Sequence, residues 1–305
     1  MMKGDNNDAA VLDNDTTSFC ACCGIAEIDD VKLKECADCD LVRYCSDECQ
    51  KDHESEHDGE CKKRAAELRD ELLFKQPERI YREDCPICLI PLPINNKKTV
   101  MFDCCSKIVC NGCDHANWMR NNELRRLQHS CPFCRVVFPE TDEETDKQRA
   151  KRVEANDPVA IRREGKYQCN KGDYQRAFDF FTRAADLGDV DAHCSLSNLY
   201  HKGKGVEKDW GKKIYHLEEA AIGGNAAARF TLGAFEWNNG DYDRAVKYWI
   251  ISATQGHDRS IKALMDKAYK AGFVEKEVLA DALRAHQAAV DATKSPQREA
   301  AEEAD

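Results

Sequence analysis

No stretch of this chain approaches eighteen consecutive apolar residues, which excludes a membrane-spanning helix. Its first segment, Met1 to Ser18, is polar and acidic and lacks the apolar run of a secretory signal. Positive charge is also scarce: 45 Lys and Arg stand against 56 Asp and Glu, a formal net charge of -11, with a pI near 5.4. The contiguous basic run Lys62-Lys63-Arg64 reads as solvated helix surface. A phosphate backbone selects for basic surface, so nucleic acid is excluded as a main partner. No region is strand-rich, and beyond Cys134 only Cys169 and Cys194 remain of the 18 cysteines. These absences lead to the expectation of a soluble cytoplasmic or nuclear protein with no membrane span. They leave its oligomeric state open.

What is abundant is cysteine, concentrated between Cys20 and Cys134 and for the most part arranged in two blocks. The first reads Cys20-x2-Cys23-x12-Cys36-x2-Cys39-x5-Cys45-x3-Cys49-x7-His57-x3-Cys61. The second comprises Cys85-x2-Cys88, the adjacent Cys104 and Cys105, Cys110-x2-Cys113, and Cys131-x2-Cys134. Each block offers eight soft donors, enough for two tetrahedral zinc sites, so four zinc ions are expected. In a reducing compartment such pairs read as metal ligands rather than disulfides. About forty residues cannot bury enough apolar area to fold alone, whereas a structural zinc contributes roughly 10–16 kcal/mol. Four closed shells leave no open position for a reactive water.

Composition divides the chain into a disordered tail at 1–17, a first finger at 18–62, a helical linker at 63–80, a second finger at 81–139, a charged linker at 140–155, helical repeats at 156–291 and a frayed tail at 292–305. Ala65, Leu68, Leu72 and Leu73 recur at helical spacing before Pro77. From Asn156 onward small residues, glycine and aromatics recur at a period of about 33 residues, the mark of a stacked repeat. Ala184-Ala185-x2-Gly188, Ala220-Ala221-x2-Gly224 and Ser252-Ala253-x2-Gly256 set the phase. Asp157-Pro158 reads as an N-cap followed by an N1 proline, and Gly172-Asp173 and Gly240-Asp241 as turns into second helices. The fold class predicted is multidomain: two small zinc-stabilised cross-brace fingers, then an all-α solenoid of helix-pair repeats.

Three resemblances attach to these motifs. The first block, with Arg43-Tyr44-Cys45-Ser46 and Gln50, resembles the MYND-type zinc finger. That family interleaves its ligands, which implies Cys20, Cys23, Cys45 and Cys49 on one ion and Cys36, Cys39, His57 and Cys61 on the other, with His53 competing for the place of His57. Its members bind proline-containing peptides partly through a tryptophan that here is Glu54, so proline recognition does not carry over. The second block resembles a RING finger, opening on Cys85-Pro86-Ile87-Cys88 and closing on Cys131-Pro132-Phe133-Cys134-Arg135. The resemblance implies Cys85, Cys88, Cys110 and Cys113 on its first ion, and Cys105, Cys131 and Cys134 on its second. The usual histidine position falls on Lys107, which cannot ligate zinc; Cys104, Asp103 and His115 are the alternatives. Ile87, Trp118, Pro132 and Arg135 fall where RING domains meet a ubiquitin-conjugating enzyme, Trp118 lying one residue further from Cys113 than usual. Lastly, Tyr200-x2-Gly203-x-Gly205-Val206-x2-Asp209 resembles a Sel-one-like repeat, with Glu164 and Met265 departing from the pattern.

The combined expectation is a RING-type ubiquitin ligase. It positions a conjugating enzyme while the repeats and MYND finger recruit a protein substrate or adaptor, without a covalent catalytic residue of its own. The alternative is a non-enzymatic interaction scaffold. A methyltransferase or iron-dependent hydroxylase carrying a MYND finger needs a further domain, and every segment here is otherwise assigned. Cys169 and Cys194 lack a surrounding histidine motif and read as buried, unreactive thiols.

Overall fold

The computed structural model describes residues 18–28, 30–77, 82–123 and 129–304, so the expected tail at 1–17 lies outside the described residues. The chain forms two compact units, Met1–Leu72 and Leu73–Asp305. In the first, β1 (Lys34–Glu35) pairs antiparallel with β2 (Arg43–Tyr44), Lys34 opposite Tyr44. Helix α1 follows, Asp47–Phe74. It begins well ahead of the expected linker helix, because metal donors substitute there for an apolar stripe. Cys49, His53, His57 and Cys61 are spaced four apart and share one face, while Asp47 and Glu48 favour the positive end of the helix. The core of this unit is Cys20, Cys36, Cys39 and Tyr44, flanked by Leu33 and Val42.

The second unit opens with its own cysteine module. A 3-10 turn (Asn96–Lys98) leads into β3 (Thr99–Met101), which pairs antiparallel with β4 (Ile108–Cys110); Thr99 faces Cys110 and Met101 faces Ile108. Helix α2 (Asn111–Glu123) follows at once. Cysteines again supply much of the core, joined by Leu92, Val109 and Phe102, the last stacked on Phe138 with ring centres 5.5 Å apart.

The segment expected as a charged linker is instead a helix, α3 (Asp142–Glu154). Thr141 caps it, accepting from the Glu144 N–H, and Arg149 is buried between Glu164 (2.7 Å) and Asp146 (2.5 Å). Glu164, which replaces the usual leucine, is the fixed acceptor that lets so polar a helix dock. Three helix pairs follow: α4 (Pro158–Lys171) with α5 (Tyr174–Asp186), α6 (Val190–Lys202) with α7 (Trp210–Ile222), and α8 (Ala226–Asn239) with α9 (Tyr242–Thr254). Asp157, Asp173, Asp189, Asp209, Asn225 and Asp241 each cap one of them by accepting a backbone N–H of its first turn. Fully buried alanines at 177, 184, 220, 221, 245 and 253 let the helices approach, and Phe181, Leu232, Tyr248 and Trp249 fill the space between. A closing pair of α10 (Asp258–Ala263), extended by a π-helical turn (Leu264–Tyr269), and α11 (Lys276–Asp291) ends the stack. Met265, at a position where the repeat pattern favours glycine, lies in that turn.

The tail expected to fray is also a helix. α12 (Pro296–Glu303) starts from a Ser295 cap and an N1 proline, and it packs along α2 of the cysteine module. The module is therefore held by the chain's last helix and not only by its neighbours in sequence.

Candidate metal centres

Four groups of donors converge: Cys20, Cys23, Cys45 and Cys49; Cys36, Cys39, His57 and Cys61; Cys85, Cys88, Cys110 and Cys113; and Cys104, Cys105, Cys131 and Cys134. Within each, all donor atoms lie within 4.8 Å of one another. Four sulfurs about 2.3 Å from a zinc form a tetrahedron with edges of about 3.8 Å. Observed edges are 3.6 Å for Cys23–Cys45, 3.7 Å for Cys36–Cys61, 3.8 Å for both Cys85–Cys113 and Cys88–Cys110, and 3.9 Å for Cys105–Cys131. His57 presents Nε2 3.2 Å from Cys39 Sγ. His53, the competing histidine, is engaged elsewhere: Nδ1 lies 3.1 Å from the Tyr44 hydroxyl, and its ring stacks on that of His57.

Backbone geometry explains how short loops aim these donors. In the Cys-x2-Cys loops at 20–23, 36–39, 85–88 and 131–134, the residue after the second cysteine returns its N–H to the carbonyl of the first. That residue is left-handed every time: Gly24, Asp40, Leu89 and Arg135, with φ from 55° to 73°. A fifth loop has the same frame, with Ser106 at φ 55° donating to the Phe102 carbonyl at 2.8 Å. Here Phe102 occupies the place the other loops give to their first cysteine. Cys105 is the second donor, and the missing one comes from Cys104 inside the loop, whose Sγ lies 3.3 Å from that of Cys134. Of the alternatives, Asp103 accepts an ion pair from Arg163 of α4 at 2.7 Å, and His115 stacks near Trp118. Lys107 is exposed.

Electrostatics favour a cation in every group. Burial raises the Cys20 thiol, but N–H bonds from Cys23, Cys45 and Cys22 bring it down to about 6; Cys36 falls to about 7 against its burial through a bond from the Asp38 backbone. Bonding from Cys110 takes Cys85 down to about 4, and backbone bonding lowers Cys134 against its burial. Their partners move the opposite way. Hydrogen bonding to Cys23 and Cys49 pushes Cys45 up to about 12, burial pushes Cys61 and Cys113 up to about 12, and Cys104 and Cys110 rise as well. One thiolate per group forms readily, and further charge in so small a volume needs a divalent ion to offset it. Three sets of four cysteines, and one of three cysteines with a histidine, match the coordinatively closed shells of structural zinc.

Arg298 of α12, which spacing gave no means of finding, stands beside the third group. Its side chain is buried and donates to the carbonyls of Pro91 (2.7 Å), Thr293 (2.6 Å) and Ile90 (3.0 Å), and to Cys88 Sγ (3.5 Å). A Cβ on Gly112 would sit 2.9 Å from the Arg298 Cα, so only glycine admits this helix. The guanidinium opposes the negative charge that four thiolates carry even around a zinc, a second layer of support for the ligands. Lys98–Glu302, at 2.7 Å, adds an exposed pair at the same seam.

The four positions expected to face a conjugating enzyme differ in exposure. Ile87 is 40% and Trp118 51% exposed, and Arg135 is exposed with its guanidinium 3.5 Å from Asn117 of α2. Pro132 is buried. Trp118 borders a cavity of about 640 Å3 with His115, Phe138 and Ala301. In the first unit, Glu54 lines a groove with Asp38, Asp47, Asp58, Lys51 and Tyr44, so a carboxylate among a majority of acidic groups stands where the MYND resemblance has a tryptophan. Cys194 packs against the repeat core, and burial pushes its thiol up to about 12; burial raises Cys169 too.

Comparison with known proteins decides part of the reading. Residues 20–61 match the MYND finger. The Sel1 repeat matches residues 162–189, 190–225 and 239–257. Chitin synthase regulatory factor 4 of Schizosaccharomyces pombe is 29% identical over 101 residues, 33% of this chain but only 16% of that protein. Among solved structures, a Sel1 repeat protein from Oxalobacter formigenes is 25% identical, covering 63% of this chain and 87% of that one with a TM-score of 0.43. The protective antigen c5321 of uropathogenic Escherichia coli, displaying an SLR fold, is 20% identical over 54% of this chain and 37% of its own, with a TM-score of 0.38. MYND finger and Sel1 repeats together make this a zinc-binding protein suited to protein–protein interaction. No helix among the described residues is long and apolar enough to cross a membrane.

Proposed function

We propose that this protein is a RING-type ubiquitin ligase of the cytosol or nucleus, with four zinc ions held by the four donor groups described above. The observation that carries the reading is the interleaving in the second module. Cys85 and Cys88 group with Cys110 and Cys113 across Cys104 and Cys105, which group in turn with Cys131 and Cys134. Such a cross-brace fixes two loops and a helix relative to one another, and it leaves Ile87 and Trp118 exposed on it. Ile87 and Trp118 would seat the conjugating enzyme, and Arg135, beside Asn117, would hydrogen-bond its ubiquitin. The chain itself makes no covalent bond to ubiquitin; holding the charged enzyme near a substrate lysine supplies proximity and orientation. The Sel1 repeats and the MYND finger bring substrate or adaptor to the same molecule, raising its effective concentration.

The burial of Pro132 favours a second reading, a scaffold without ligase activity, since a buried proline offers less to an incoming enzyme. Autoubiquitination of the zinc-loaded full chain by purified activating and conjugating enzymes separates the two. The ligase reading expects ubiquitin ladders that Ile87→Ala abolishes and that Arg135→Ala reduces about tenfold, the loss of one charge-assisted hydrogen bond. No product with any conjugating enzyme tried, and no effect of Ile87→Ala, favours the scaffold.

A further inference from the structure

The loop between α6 and α7 concentrates positive charge on an otherwise acidic chain. From Lys202 to Lys213 there are five lysines, at 202, 204, 208, 212 and 213, against Glu207 and Asp209, a net +3 where the whole protein carries -11. Asp209 is committed to capping α7. None of the five lysines is in an ion pair among the described residues. Lys212 and Lys213 sit in the first turn of α7, where the helix dipole disfavours cations and where no acidic residue is present. Helix stability does not account for that placement.

Aromatic rings are interleaved with these charges. Trp210, 49% exposed, has Lys213 Nζ 4.1 Å and Lys208 Nζ 5.4 Å from its ring centre, with His201 edge-on at 5.2 Å. Lys212 lies over Tyr200, and Lys204 over Tyr174, whose hydroxyl it also meets at 2.9 Å. Desolvation and the charges of Lys213, Lys208 and Lys202 lower the His201 imidazole below its ordinary value, so the lysines act on one small region. The loop is built firmly. At Gly205, with φ 72°, a Cβ would fall 2.3 Å from the Tyr174 carbonyl oxygen, so this backbone lies directly against the start of α5. A rigid loop pays little entropy when a ligand docks.

We infer that this lysine and tryptophan patch on the second repeat is a docking site for an acidic segment of a partner protein, its carboxylates on Lys202, Lys208 and Lys213 and an apolar side chain on Trp210. The inference deepens the reading of the repeats as the recruiting element and does not depend on ubiquitin transfer. A nucleic acid strand fits less well, because beyond one short loop it would run onto a surface with the chain's excess of carboxylates. A short acidic peptide matches the patch in sign, five lysines against two carboxylates from Lys202 to Lys213.

The test uses the zinc-loaded full chain and a fluorescein-labelled 12-residue peptide of glutamates with two leucines, followed by anisotropy. Saturable binding is expected, weakening with salt. The Lys208→Glu/Lys213→Glu variant should lose at least about tenfold in affinity, since like charges would then face each other, and Trp210→Ala should weaken binding without changing its salt dependence. Lys267→Glu/Lys276→Glu, the same charge change at exposed positions elsewhere, should bind as the parent does. Glutamate in the first turn of α7 favours the helix, so an unchanged or raised melting temperature separates lost binding from misfolding. No saturable binding, an equal loss in the control variant, or tighter binding of a labelled oligothymidylate to the same patch overturns the inference. Peptide binding without autoubiquitination leaves it standing and sinks only the ligase reading.

Discussion

At residue 104 the chain departs from a repeating device. Four loops supply donors at their first and fourth positions; the fifth keeps the hydrogen-bond frame but has Phe102 at the first, and the adjacent cysteine replaces the missing donor. Cys104→Ser should therefore cost one ion, three instead of four by native mass spectrometry, whereas His115→Ala should keep all four. The donor pairs are legible in spacing, because Cys-x2-Cys is a local geometry; which pairs share an ion is implied by the resemblance to interleaved fingers and not by spacing. The choice among Cys104, Asp103 and His115 is not, since all three lie close in sequence. Excluding Asp103 takes Arg163 from sixty residues downstream, and placing His115 takes its stacking near Trp118. His57 over His53 follows from Tyr44, which engages the latter.

Among the elements, the helix pairs of the repeats are readable because their signals are local: aspartate or asparagine caps, and glycine after the last turn. Helices α3 and α12 are not, because neither carries an apolar stripe, and each depends on one buried arginine whose acceptors lie elsewhere in the chain. Arg149 finds Glu164; Arg298 finds the carbonyls of Pro91 and Ile90 and the sulfur of Cys88. Removing Arg298 strands those buried acceptors, so Arg298→Ala should destabilise the second unit by about 2–4 kcal/mol in urea unfolding. The same variant should release zinc faster from the third group alone, measured with a colorimetric chelator. Arg298→Lys, which keeps the charge but not the fork of donors, should fall between. A variant that unfolds and releases zinc as the parent does would show that α12 is a passive neighbour.

For the whole molecule, the two kinds of architecture predict different responses to losing metal. The repeats bury Trp249, Tyr248, Leu232 and Phe181 without help from any ion, while the core of the first unit is largely its own ligands. Exhaustive chelation should therefore abolish protection of residues 18–61 from proteolysis and leave most of the helical circular dichroism, and the cooperative melting of the repeats, in place. Loss of the helical signal in parallel with zinc would contradict this division. The seat of Arg298 also sets an order of events during synthesis. Cys88 emerges from the ribosome 210 residues before the arginine that covers it, an interval of roughly 10 to 40 s at about 5–20 residues per second. Once Cys113 has followed, the nascent module has all four thiols of this group but not the arginine that covers them, so the centre is open to metal before α12 closes on it, and a chain terminated short of α12 leaves it uncovered.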